Sequence, residues 1–113
     1  MRLDELTEDE SHVLGAMLRL MIRSDGDFSF EEEQAVRAIG ERLGDGPRAL
    51  SDLANASSEA LPDATAVEQR LASVTRPDVR QLIREVLTEV SASDEVDPHE
   101  AKLMKWLDTQ WAD

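Results

Sequence analysis

Cysteine is absent from the 113 residues, which excludes disulfides, thiolate zinc sites and a cysteine nucleophile together. Nothing in the chain therefore calls for an oxidising compartment. Long apolar runs are missing as well, and no stretch approaches the roughly 20 residues of a membrane-spanning helix. The opening MRLDELTEDE is acidic, with no apolar run behind a basic segment, so it does not read as a secretory leader. Histidine is scarce: His12 and His99 are the two imidazoles, and neither falls in H-x-x-x-H or a related zinc spacing. No phosphate-loop or nucleophile motif is present, and the paired carboxylates fall in open turns rather than around a recognisable pocket. Together these absences predict a soluble, cytoplasmic, non-enzymatic protein with no membrane attachment.

Basic residues are outnumbered, 12 Lys and Arg facing 25 Asp and Glu for a formal charge of -13. Such an imbalance favours solubility and repels nucleic acid and anionic lipid. Cations and basic proteins are the natural company of this chain. Its length is that of one domain, and 1–113 is read as a single unit. Apolar residues are numerous and periodic, which argues against disorder.

Helical spacing dominates. From Val13, Leu14, Met17, Leu18, Met21 and Ile22 form one apolar stripe, with Thr7 and Glu10 placed as a capping box before it. Ala35, Val36, Ile39 and Leu43 continue the period after a turn, and Gly44 and Gly46 are stop signals. Near the C-terminus, Val79, Leu82, Ile83, Val86, Leu87 and Val90 predict one helix, and Leu103, Met104, Leu107 and Trp111 another. Shifting the first pair by 68 positions lays Leu14 on Leu82, Leu18 on Val86, Ile22 on Val90, Phe28 on Val96, Glu32 on Glu100, Val36 on Met104, Ile39 on Leu107 and Leu43 on Trp111. Ser29 and Asp97 coincide as caps, and helices should start within about two residues of each. Between the pairs, Pro47 opens a short helix through Leu50 and Leu53, NASSEALPD reads as a connection, and Val67, Leu71 and Val74 mark a further short helix. Thr75 is placed as the cap of the helix that follows, with Asp78 three residues on. The predicted fold is all-α: two pseudo-equivalent helical hairpins joined by short middle helices in a compact bundle.

The first turn, RSDGDFSFEEE, looks like a calcium loop and fails as one. With Asp25 first and Asp27 third, the glycine of an EF-hand would fall on Phe30 and its bidentate acid on Val36. A better match is SDGDFSFEEE after an apolar helix, echoed by SDEVDPHE before the last one, which resembles the tellurite-resistance TerB-like family. That family carries helix, a turn of the form A/S-D-G-x-I/V/F-S/D-x-x-E, then helix, often twice. The resemblance implies an all-helical domain whose acidic cluster binds divalent cations, found alone in stress-response systems or fused to J-domains in membrane-anchored co-chaperones. It maps the motif onto Asp25, Gly26, Phe28, Ser29 and Glu32. In the second copy Val96, Asp97 and Glu100 match, while Ser93 and Asp94 stand where Asp and Gly belong. Neither a J-domain nor an anchor accompanies the motif, so the co-chaperone role is not carried over.

Two readings of these turns stay open. Asp25, Asp27, Glu32, Asp94, Glu95 and Glu100 can offer carboxylate oxygens to a hard cation such as calcium or magnesium, with His99 as an additional ligand. The same residues also serve as caps and solvated turn residues, since helix N-termini favour acids on dipole grounds alone. In the second reading the chain is a protein-interaction module with structural turns. Trp106 then becomes the anchor, because it falls outside the stripe of Leu103, Leu107 and Trp111 and because Arg76, Arg80 and Arg84 line one side of the preceding helix. Trp106 can equally cover the edge of the core.

Overall fold

The computed structural model describes residues 2–24, 30–44, 46–92 and 98–111, and of residues 22–24, 64, 92 and 98–100 the backbone alone. Among the described residues a 3-10 turn, Leu3–Glu5, precedes six helices: α1 Glu8–Ser24, α2 Phe30–Arg42, α3 Ala49–Ala60, α4 Ala64–Leu71, α5 Pro77–Ala92 and α6 Pro98–Gln110. Among the described residues there is no strand, so the fold is an all-α bundle. Helices α2 and α6 begin one residue after Ser29 and Asp97, as their capping residue types require. The cap residues themselves lie outside the described residues.

Capping chemistry starts α1 as predicted. The Thr7 amide donates to Glu10 Oε1 at 2.8 Å, and the Glu10 amide donates to Thr7 Oγ1 at 3.2 Å. The single stripe predicted for α1 is an underestimate: every residue from Val13 to Leu18 is buried. The reason is its position, for α1 packs against α3, α4, α5 and α6 and so has little solvent face along its middle. Helix α2 ends at a turn where Gly44 takes φ +93°, a left-handed conformation that a side chain would strain.

Residues 55–60 correct the sequence reading. NASSEA is not a connection but the second half of α3. Its serines turn inward on their own helix, Ser57 Oγ donating to the Ala54 carbonyl at 2.8 Å and Ser58 Oγ to the Asn55 carbonyl at 2.7 Å. Ser57 is buried. What favours the helix is its most extensive neighbour, α1, which approaches so closely that a Cβ on Gly15 would lie 2.3 Å from the Leu53 carbonyl oxygen. Within residues 55–60 only Ser57 is buried, so the helix is anchored by Ser57 and by the preceding turn at Leu53, and Ala56, Glu59 and Ala60 are themselves good helix formers. Arg19 closes the far end of α3 by donating to the Leu61 carbonyl.

Asp63 caps α4, accepting from the Ala66 amide at 2.8 Å. The predicted Thr75 cap of α5 is displaced by one residue. Helix α5 opens at Pro77, and the Arg76 carbonyl accepts from the Val79 and Arg80 amides at 3.1 and 3.0 Å. Proline suits a first helical position because its missing N–H is not needed there, which moves the boundary past Thr75.

The core gathers Leu14, Met17, Leu18 and Met21 of α1 with Val36 and Ile39 of α2, Leu50 of α3 and Leu71 of α4. Leu82, Ile83, Val86, Leu87 and Val90 of α5 join it with Leu107 of α6 and Trp111. The helix bounds keep the 68-residue spacing, α2 at 30–42 and α6 at 98–110, with α1 and α5 ending at 24 and 92. Their surroundings differ: α1 carries α3 and α4, whereas α5 packs on α1, α2 and α6.

Candidate functional site

Of the six candidate cation ligands, Asp25, Asp27, Asp94 and Glu95 lie outside the described residues. Glu100 stands in the first turn of α6 by its backbone. Glu32 is the one whose side chain is described, and it is unusual. Placed in the first turn of α2 between Glu31 and Glu33, it is 2 % exposed, while Glu31 is exposed and Phe30, one residue earlier, is 70 % exposed. Three consecutive acids on a helix point in different directions, and the middle one of this run points inward. Burying a carboxylate is costly unless polar partners or a cation compensate it, and Glu32 is engaged within the protein. Among the described residues no group of three His, Asp or Glu is placed to hold a metal. His12 is half-buried on α1, and His99 belongs to the first turn of α6.

A second buried carboxylate was not foreseen in its full role. Glu10, 3 % exposed, accepts from Arg76 twice, Nε to Oε2 at 2.9 Å and Nη2 to Oε1 at 2.6 Å. Arg76 Nη2 also donates to the Glu5 carbonyl at 3.0 Å. The Arg76 hydrogen bonds hold the Glu10 carboxyl down at about 2, with the Thr7 amide helping and burial opposing. Hydrogen bonding to Glu10 raises Arg76 in turn. Glu10 was legible as a cap, but its partner lies 66 residues away and no local spacing announces it.

The arginines of α5 meet the tryptophan other than Trp106. Arg80 and Arg84 stack on Trp111 instead, their guanidinium carbons 5.4 and 5.5 Å from the ring centroid. Trp111 is 4 % exposed and its indole Nε1 donates to the Leu71 carbonyl at 3.1 Å. Trp106 is half-buried and packs against the core, so it covers the core edge. Trp111 therefore lies deeper than Trp106.

Among the described residues six helices form an all-α domain, and a buried glutamate, Glu32, lies in the first turn of α2. A family model described as Tellurite resistance protein TerB matches residues 11–108, and the chain belongs to that family. No curated protein and no solved structure matches it.

Proposed function

We propose that this TerB-family chain is a single, non-enzymatic domain whose acidic turns hold a divalent cation, calcium or magnesium, in a stress-response or protein-interaction role. The observation that carries the reading is the burial of Glu32. Its counterparts Glu31 and Glu33 satisfy the helix dipole from the surface, so a cap alone does not require the middle acid to leave water. In this reading Glu32 joins Asp25 and Asp27 as oxygen donors of the first turn. Ser93 and Asp94 make the second turn the weaker of the two.

A second reading, in which the turns are structural and the chain is a protein-interaction module, is favoured by the helix starts at Phe30 and Pro98. Both follow directly on residues with cap chemistry, and a cap needs no metal. Backbone NMR spectra recorded with and without calcium and magnesium separate the two. Saturable shifts confined to residues 25–32 support the cation reading, and spectra that do not change beyond a matched sodium chloride control reject it. No helix of the described residues is long and apolar enough to cross a membrane, and the cytoplasm is the compartment we propose.

A further inference from the structure

A surface cleft of about 710 Å³ runs between the C-terminal end of α2 and the side of α5. Leu43 and Leu82, core residues that stay 7 % and 9 % exposed, provide its apolar lining. Arg42, Arg84, Glu85 and Glu89 provide charge. Each arginine has an acid of this chain within ion-pair distance, Arg42 in an exposed pair. Arg42 Nη1 lies 3.0 Å from Glu89 Oε1, and Arg84 Nε lies 3.1 Å from Asp108 Oδ1 while its guanidinium stacks on Trp111. Among the described residues Glu85 accepts from the neutral Gln81 amide, at 3.0 Å. The exposed positions along α5 are Pro77, Asp78, Gln81, Glu85, Thr88 and Glu89, which carry carboxylates and no cation.

We propose that this cleft is the docking groove for a basic amphipathic helix of a partner protein. An apolar residue of that helix seats on Leu43 and Leu82, and its lysines or arginines meet Glu85 and Glu89. Three features select this occupant. Glu85 and Glu89 stand one helical turn apart, which is the spacing at which an incoming helix presents two cations from one face. The Arg42–Glu89 pair is exposed on both sides, 59 % and 43 %, and such pairs are weak, so Glu89 can turn to an incoming cation. The formal charge of -13 draws a basic partner in and opposes both an acidic peptide and a second copy of this chain. None of these residues belongs to the acidic turns, so the groove stands or falls apart from the cation reading.

The test titrates a helical peptide of leucine and lysine, about 18 residues and roughly five turns long, into the full chain at constant ionic strength. Saturation at one peptide per chain is expected, with amide shifts at Leu43, Leu82, Glu85 and Glu89. Glu85→Lys with Glu89→Lys should weaken binding about tenfold, charge reversal at a docking site acting directly on the contact. Glu59→Lys with Glu68→Lys makes the same charge change at exposed positions of α3 and α4 and should weaken it by no more than about twofold, through the long-range field alone. Equal weakening by the two double variants overturns the proposal, as does undiminished binding of a peptide whose leucines are replaced by serine, or shifts that map elsewhere. Should the double lysine variant lose its fold, Glu85→Gln with Glu89→Gln reads the same contrast against Glu59→Gln with Glu68→Gln.

Discussion

Arg76 grips Glu10 at two points, 2.9 and 2.6 Å, and so fastens the residue before α5 to the first turn of α1. The same carboxylate accepts the Thr7 amide. One glutamate therefore caps a helix and receives an arginine from the other half of the chain. The Glu5 carbonyl is held by the same guanidinium.

Acid should release that clasp, and the sign follows from the proton count. The folded-state pKa of Glu10 lies at about 2 against 4.5 for a free glutamate, so below 4.5 the unfolded chain binds a proton that the folded one refuses. The stabilisation is complete above 4.5 and is lost as pH falls towards 2. At about 1.4 kcal/mol per unit the shift sets a ceiling of about 3 kcal/mol, lowered by solvent at the half-open arginine. Other carboxylates lose mutual repulsion over the same range, which works in the opposite direction. The difference between wild type and Glu10→Gln isolates the clasp: wild type should melt clearly higher at pH 7, and the gap should close by about pH 2. A gap that stays constant with pH would show that Glu10 is not held in its ionised form.

Gly15→Ala sets two effects against each other. Alanine in place of a mid-helix glycine ordinarily stabilises by about 1 kcal/mol. Here its methyl would meet the Leu53 carbonyl oxygen at 2.3 Å, and backbone cannot swing aside as a side chain does. Overpacking of this kind typically costs about 1 to 3 kcal/mol, so the melting temperature should fall. A rise would mean that α1 and α3 are farther apart than described.

That contact also shows what the sequence could and could not reveal. Leu14, Leu18, Ile39, Val86 and Leu107 were legible as core because helical period is a local signal, and the starts of α2 and α6 were legible because caps are local too. Ser57 and Ser58 misled, since a helix of small residues looks like a linker until its neighbour is known. The burial of Ala16 and Val13 beyond the stripe, and the pairing of Arg76 with Glu10, depend on which elements meet, and no spacing within one element encodes that. For the candidate site, the sequence reading picked Glu32 as a ligand or cap, but its burial beside an exposed Phe30 is a property of the assembled bundle.

The tryptophans give an independent check on the packing of α6. Trp111→Phe removes the hydrogen bond to the Leu71 carbonyl and weakens the stacking of Arg80 and Arg84. A loss of about 2 kcal/mol is expected, against a smaller one for the half-buried Trp106→Phe. In Trp106→Phe, where Trp111 is the remaining indole, acrylamide should quench fluorescence less than in Trp111→Phe. The reverse order would place the wrong tryptophan in the core.

Cation binding at the first turn is testable by thermal stability, provided charge screening is removed from the comparison. A ligand at ten times its dissociation constant stabilises the native state by about 1.4 kcal/mol, and on a chain of this size that moves the melting temperature by several degrees. With a formal charge of -13, any salt relieves self-repulsion and produces a similar rise. Calcium and magnesium are therefore compared with sodium chloride at matched ionic strength. The excess effect of the divalent ion should saturate and should fall sharply in Asp25→Asn. Glu32→Gln should abolish it as well, because the amide keeps the shape of Glu32 but not its charge, so a loss there assigns the carboxylate's charge to the ion. Ser93→Ala should leave it nearly intact, since that position lacks the motif's acid. Equal responses to divalent ion and matched sodium chloride would reduce residues 25–32 to a turn and a helix start, with Glu32 buried for packing alone.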